Sequence, residues 1–211
     1  MGKIRDAERS RQTILQAAEL EFSEKGFFGA RVDEIAARAN INKRMLYAYY
    51  QDKQGLYQQV LASVYARMEE LEESLVARQL QGKELIQEII SAYFDFLQNN
   101  RSFVNILMWE NLNQGQCLQQ VQRSYIERST IKYFEKALED GKRTGVFRQS
   151  VDSWQTVLSL ITICFANFSN QYTLSILFDT NLGDEALVAE RKKHTTEIML
   201  SYLCGNEKEN A

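Results

Sequence analysis

GFFGARVDEIAARANINKRMLYAYYQDKQGLY, residues 26–57, holds two short amphipathic stretches that meet at a tight turn. The first, 32–39, puts Ile35, Ala36 and Ala39 on one face; the second, 43–50, is short, basic and rich in tyrosine. Helices that cross steeply need a small residue where their backbones approach, and Ala36 supplies it. The turn between such helices needs a positive φ, for which asparagine is the commonest substitute for glycine. Asn40 stands at that point. Ile41 then turns inward, Leu46 points back to the same core, and Tyr50 extends that face. This is how a helix-turn-helix reads, and it makes duplex DNA the leading candidate partner.

With those inward positions fixed, the outward face of the second helix follows. Asn42 is its N-cap. Lys43, Arg44, Tyr47 and Ala48 face away from the core. The major groove admits a helix whose N-terminal residues reach base edges first. Arg44 is the candidate for reading a guanine, and Lys43 for a base or a phosphate. Tyr47 offers a hydroxyl to the backbone and a ring to a thymine methyl. Lys53 opens the next helix, where an ammonium beside free N–H groups makes a phosphate site.

Outward from this segment the chain reads as helix throughout. Ile14, Leu15, Ala18 and Phe22 recur at helical spacing, so a first helix is expected over 7–25, stopped by Gly26. Asp52 caps a fourth helix, expected over 52–77, long enough to link two domains. Leu85, Ile86, Ile89, Ile90, Tyr93, Phe94 and Leu97 form one stripe, and 103–112 is a shorter apolar helix. Leu118, Val121, Tyr125, Ile131, Phe134 and Leu138 mark a long helix ending near Gly141. Asp152 caps the next, and 154–178 is apolar on nearly every side. A final helix is expected over 187–203, then a polar tail over 205–211. The chain holds no proline, so nothing interrupts long helices. The expectation is an all-α fold of about nine helices: a DNA-binding domain over 1–55 and a helical domain over 56–211.

Composition narrows the function further. The 45% hydrophobic and 25% charged content is ordinary for a globular protein. The charged N-terminus has no apolar signal core after it, and the longest apolar region is broken by Ser159, Thr162 and Asn167, so no membrane partner and a cytoplasmic location are expected. Residues 1–55 carry ten Lys/Arg against eight Asp/Glu, a net of +2, whereas the remainder carries fifteen against twenty, a net of −5. That asymmetry agrees with a DNA-facing N-terminus on a body that repels the duplex. The three cysteines have no metal-like spacing, so no metal or other cofactor is expected. Ser/His/Asp arrangements and phosphate-cradling glycine loops are missing too, and the only histidine, His194, sits among Lys192, Lys193 and Thr195. An enzyme is therefore not expected. A helical dimeric protein-interaction module is the alternative, but it gives no reason for Lys43, Arg44, Tyr47 and Lys53 to share a surface.

The segment FSEKGF followed by VDEIAARANINKRMLYAYYQDKQGLYQQVL resembles the tetracycline-repressor (TetR) family of transcriptional regulators. The family order is a glycine-ended helix, a helix-turn-helix ending in Leu-Tyr-x-Tyr-Phe, and a lysine opening helix four. Here these are Gly26, Leu46-Tyr47-Ala48-Tyr49-Tyr50 and Lys53, and Tyr49 joins the candidate DNA contacts. Three departures stand out. Ala30 and Arg31 replace the usual Thr or Ser before helix two, so the cap is weaker and Arg31 is expected to take over the phosphate contact. Asn40 replaces the turn glycine, and Arg44 stands where many members carry a small residue.

The resemblance also implies a homodimer joined by the last two helices, a repressor's near-palindromic operator, and an effector pocket in each subunit. The apolar excess of 154–178 supports the dimer independently, since a second subunit would bury it. For a small aromatic or hydrophobic effector the candidate walls are Phe103, Asn105, Met108, Trp109 and Asn113. Tyr93, Phe94, Tyr133, Phe165 and Asn167 are candidates from neighbouring helices.

Overall fold

The computed structural model describes residues 2–121 and 129–205. Ten α-helices and no strand occur among them: α1 (Gly2–Gly29), α2 (Val32–Arg38), α3 (Lys43–Tyr50), α4 (Lys53–Ala77), α5 (Gly82–Asn99), α6 (Arg101–Leu112), α7 (Ser129–Arg143), α8 (Ser153–Ser169), α9 (Gln171–Leu177) and α10 (Glu185–Cys204). One short 3₁₀ turn, Leu118–Gln120, precedes α7.

The described residues form two compact units, one drawn from 1–67 and 101–126, the other from 68–100 and 127–211. The first holds α1, α2, α3, the opening of α4, and α6. Its core closes over Ile14, Phe22, Ile35, Leu46, Leu56 and Tyr57, all fully buried. In α1, Gly26 takes φ 66° and ψ 178°, a conformation only glycine tolerates, so the regular helix stops there and a last turn follows to Gly29. Gly26 answers a second demand. A Cβ on it would stand 2.6 Å from the Trp109 ring of α6.

In the second unit the α5 stripe from Leu85 to Leu97 is buried as its spacing predicts. It packs against α8 and α10, with α7 alongside. Two segments differ from the sequence expectation. The stretch 154–178 is two helices rather than one, broken at Asn170 (φ −102°, ψ 8°). The Asn170 Nδ2 donates to the Ala166 carbonyl, the local side-chain bond by which asparagine competes with a continuing helix. The long helix expected from Leu118 is a single 3₁₀ turn, because Val121 is extended (φ −67°, ψ 133°). Helix α7 begins at Ser129. Tyr125, expected on that helix, and the tail beyond Gly205 lie outside the described residues. No helix among the described residues is long and apolar enough to cross a membrane.

Candidate nucleic-acid interface

Asn40 makes the turn at φ 51°. The Ile41 N–H donates back to the Ala36 carbonyl at 3.0 Å, closing α2 over the small residue that the crossing requires. Asn42 Oδ1 accepts the Arg44 N–H at 2.9 Å and so caps α3. Leu46 is fully buried. Burying such a side chain is worth about 1.5–3 kcal/mol, enough to fix which face of an eight-residue helix turns inward. The Tyr50 hydroxyl donates to the Arg11 carbonyl at 3.0 Å and ties α3 to α1.

Lys43, Arg44 and Tyr47 therefore stand on the exposed face of α3. Among the described residues the Arg44 guanidinium has no ion-pair or hydrogen-bond partner. Lys43 is less free. Its ammonium lies 2.7 Å from Asp33 of α2 and about 6.0 Å from the Tyr47 ring. The Asp33 hydrogen bond holds the Lys43 pKa above its ordinary value. Surface pairs of this kind are weak, so a phosphate can displace Asp33.

Lys53 is half-buried, its ammonium 5.0 Å from the Phe27 ring centre and 3.5 Å from the Phe28 carbonyl. Burial pulls its pKa below the usual lysine value. Asp52 Oδ1 accepts the Gly55 N–H at 2.7 Å, so the capping carboxylate takes one of the helix donors beside Lys53. Tyr49 lies under the Arg11 guanidinium at 5.3 Å. Arg31 is exposed at the start of α2, where it offers no side-chain cap.

Two charged groups missing from the sequence reading organise this head. Glu21 of α1 is fully buried. It meets Lys25 at 2.8 Å, the Arg31 N–H at 3.3 Å and Arg38 at 3.3 Å. Arg38 also grips Glu24 at 2.9 Å, a hydrogen bond that holds the Glu24 carboxyl below its ordinary pKa. Glu110 of α6 is buried and accepts the Tyr57 hydroxyl and the Leu118 N–H, both at 2.9 Å. The sequence did carry a signal for Glu21: it falls seven residues after Ile14, on the apolar stripe of α1.

The candidate effector residues divide between the two units. On α6, Phe103 is buried edge-on to Tyr65, and Asn105 and Met108 are partly or well exposed. Trp109 donates its indole N–H to the Ser23 carbonyl at 3.2 Å, and Asn113 Nδ2 donates to the Trp109 carbonyl. In the second unit Tyr93 is buried with its hydroxyl on Glu72, and Phe94 meets Phe168 edge to face at 5.6 Å. Phe165 and Asn167 are half-buried, and the Asn167 Nδ2 has no hydrogen-bond partner among the described residues. Tyr133 lines a separate open cleft of about 600 Å³ with Lys83, Lys136 and Val146. Among the described residues no cluster of metal-ligating side chains occurs.

A capped, tyrosine-rich helix held outward by a buried leucine defines a DNA-binding regulator of the helix-turn-helix class. Residues 14–60 match the family described as bacterial regulatory proteins, tetR family. Residues 83–199 match the tetracyclin repressor-like C-terminal domain. The chain belongs to this family and is a DNA-binding transcriptional regulator. It is 29% identical over 202 residues to the transcriptional repressor NicS of Pseudomonas putida, covering 95% of each chain. To the repressor SCO4008 of Streptomyces coelicolor it is 28% identical over 159 residues, 75% of this chain and 78% of that one. Among solved structures, FadR of Bacillus subtilis in complex with stearoyl-CoA shares the fold with a TM-score of 0.65 at 19% identity, covering 91% of this chain and 98% of that one. The fatty acid degradation regulator FadR of Bacillus halodurans superposes at 0.68 with 18% identity, over 90% and 94% of the two chains.

Proposed function

We propose that the protein is a homodimeric repressor that leaves a near-palindromic operator when a small aromatic or hydrophobic effector binds. The carrying observation is the outward, unpartnered Arg44 beside Tyr47 on a helix whose opposite side is locked by Leu46. Arg44 reads a guanine edge, and Lys43, after exchanging Asp33, holds a base or phosphate. Arg31, Asn42, Tyr47, Tyr49 and Lys53 contact the backbone or flank the reading helix. A twofold dimer sets its two α3 helices about 34–36 Å apart to meet successive major grooves. A regulator of this kind works in the cytoplasm, beside the chromosome.

Repression is supported by the names of NicS and SCO4008, and a lipid-like effector by the stearoyl-CoA held by the Bacillus subtilis FadR structure. In this chain Tyr93 and Phe94 are packed core side chains, so an effector there would have to part them, and Asn167 supplies one unsatisfied amide donor beside the half-buried Phe165. That combination suits a flat or hydrophobic molecule with a single acceptor. Release is a shift of population toward a conformer that holds the two reading helices at the wrong separation.

The test is selection of binding sites from a pool of random duplexes. A palindromic site, with half-sites one helical turn apart and binding that falls steeply with salt, is expected. Recovery of no duplex above the background of the starting pool overturns the reading and favours a protein-interaction module.

A further inference from the structure

We infer that Glu21, a residue that touches no DNA, is the positioning residue that sets α2 and Arg31 for the duplex. Helix α2 begins without a cap of its own, since the Arg31 side chain accepts no hydrogen bond. In a capping box the N-cap N–H is taken by an acid three residues into the helix. Glu34 occupies that place, yet the Arg31 N–H goes to Glu21 Oε1 of α1 at 3.3 Å. The other oxygen, Oε2, accepts Arg38 Nη2 at 3.3 Å. Arg31 precedes α2 and Arg38 is its last residue, so one carboxylate grips the seven-residue helix at both ends.

Stability does not account for a carboxylate there. Glu21 is 0% exposed and lies on the stripe of Ile14, Ala18 and Phe22. Removing one partner of a buried ion pair is costly chiefly when it leaves the other charge buried and unpaired. The two cations would not be so stranded, and the Arg31 N–H is the donor that loses its acceptor. Lys25 and Arg38 are 42% and 35% exposed, and Arg38 retains Glu24. What an acceptor oxygen at this position supplies, and an apolar side chain does not, is direction. It fixes the origin of Arg31 and the tilt of the helix on which α3 is seated.

The inference rests on the DNA reading above and on Arg31 meeting a phosphate, so Arg31→Ala is measured in parallel. The probe is the duplex that the full-length wild-type protein selects from a random pool, titrated at several salt concentrations. Loss of one phosphate contact flattens the plot of log affinity against log salt by about one unit. Arg31→Ala is expected to show that change. Glu21→Leu is expected to reproduce it in slope and affinity while keeping the wild-type helicity. The double variant should be no weaker than either single one. Glu21→Gln, which keeps an acceptor for the Arg31 N–H, should restore the wild-type slope.

A wild-type slope in E21L overturns the inference. So does an E21L that melts early with lost helicity, an E21Q as weak as E21L, or an additive double variant. An R31A with wild-type slope removes the phosphate contact and the inference with it, and leaves the DNA reading standing. A wild-type protein that selects no duplex removes the DNA reading itself.

Discussion

Arg44 and Glu21 show what a single residue can and cannot announce. Arg44 is legible because its neighbours set it: once Asn40 makes the turn and Leu46 is buried, position 44 must face out. The positive φ of Asn40 and the Asn42 cap follow from short-range chemistry of the same kind. Glu21 is only half legible: a carboxylate on an apolar stripe signals burial, but its partners lie ten and seventeen residues away and no local pattern names them. The pairing of Lys43 with Asp33 is hidden for the same reason, since it crosses the turn. At this scale the prediction concerns Arg44→Ala. Position 44 is exposed, so the melting temperature should stay within error. A bidentate contact to guanine is worth about 1–3 kcal/mol of discrimination. Repeating the random-duplex selection with R44A should therefore relax preference at one base pair in each half-site. An unchanged base preference would take Arg44 out of base reading.

Among the elements, those whose periodicity stands alone were easiest to see. The α5 stripe, the stop at Gly26 and the cap of α8 by Asp152 follow from spacing and local donors. The break at Asn170 and the extended Val121 do not, because helical spacing of apolar residues runs from Phe168 to Tyr172 and from Leu118 to Val121, and no glycine or proline marks either site. The Trp109 of α6 is laid against Gly26 and bonded to Ser23, a contact that no local pattern encodes. Gly26→Ala tests that junction. The new Cβ would fall 2.6 Å from the indole while the backbone sits at φ 66°. Strain of this kind costs about 1–3 kcal/mol, and displacing a packed ring adds to it. In a Trp154→Phe background, which leaves Trp109 as the one tryptophan, thermal unfolding followed by fluorescence should show an earlier transition and a red-shifted folded spectrum. A melting temperature equal to wild type would mean that the α1–α6 contact is not held as described.

For the whole molecule the question is which surfaces meet others. The cysteines give a first check. Burial pushes the Cys164 thiol up to about 12, and only a thiolate attacks an alkylating reagent. Cys164 should stay unmodified by iodoacetamide at pH 8 until the chain is unfolded. The linkage has a definite sign. Above the ordinary value of 9.0 the unfolded thiol ionises while the folded one keeps its proton. Stability is therefore lost as pH rises from 9.0 toward about 12. The burial-raised phenols of Tyr57 and Tyr93 act in the same direction. Rapid labelling of Cys164 in the folded protein would place it nearer solvent.

The exposed apolar side chains of the last helices carry the remaining argument. Trp154 and Leu158, one turn apart on α8, are 55% and 46% exposed; Ile198 and Tyr202, one turn apart on α10, are 42% and 45% exposed. Their spacing is that of a helix face, and large apolar groups so arranged on a regulator that must present two reading helices are suited to a second copy. Leu158→Glu places a charge there without touching the core, so folding should be unaffected. Its expected consequence is a sedimentation mass falling from twice 24.5 kDa to 24.5 kDa. Duplex affinity should fall by about 10²-fold or more, because each half-site must then be held alone. The two readouts have to move together, since the operator contacts themselves are untouched. A monomeric wild type would remove the subunit contact altogether, and a dimeric L158E with full affinity would place it away from α8.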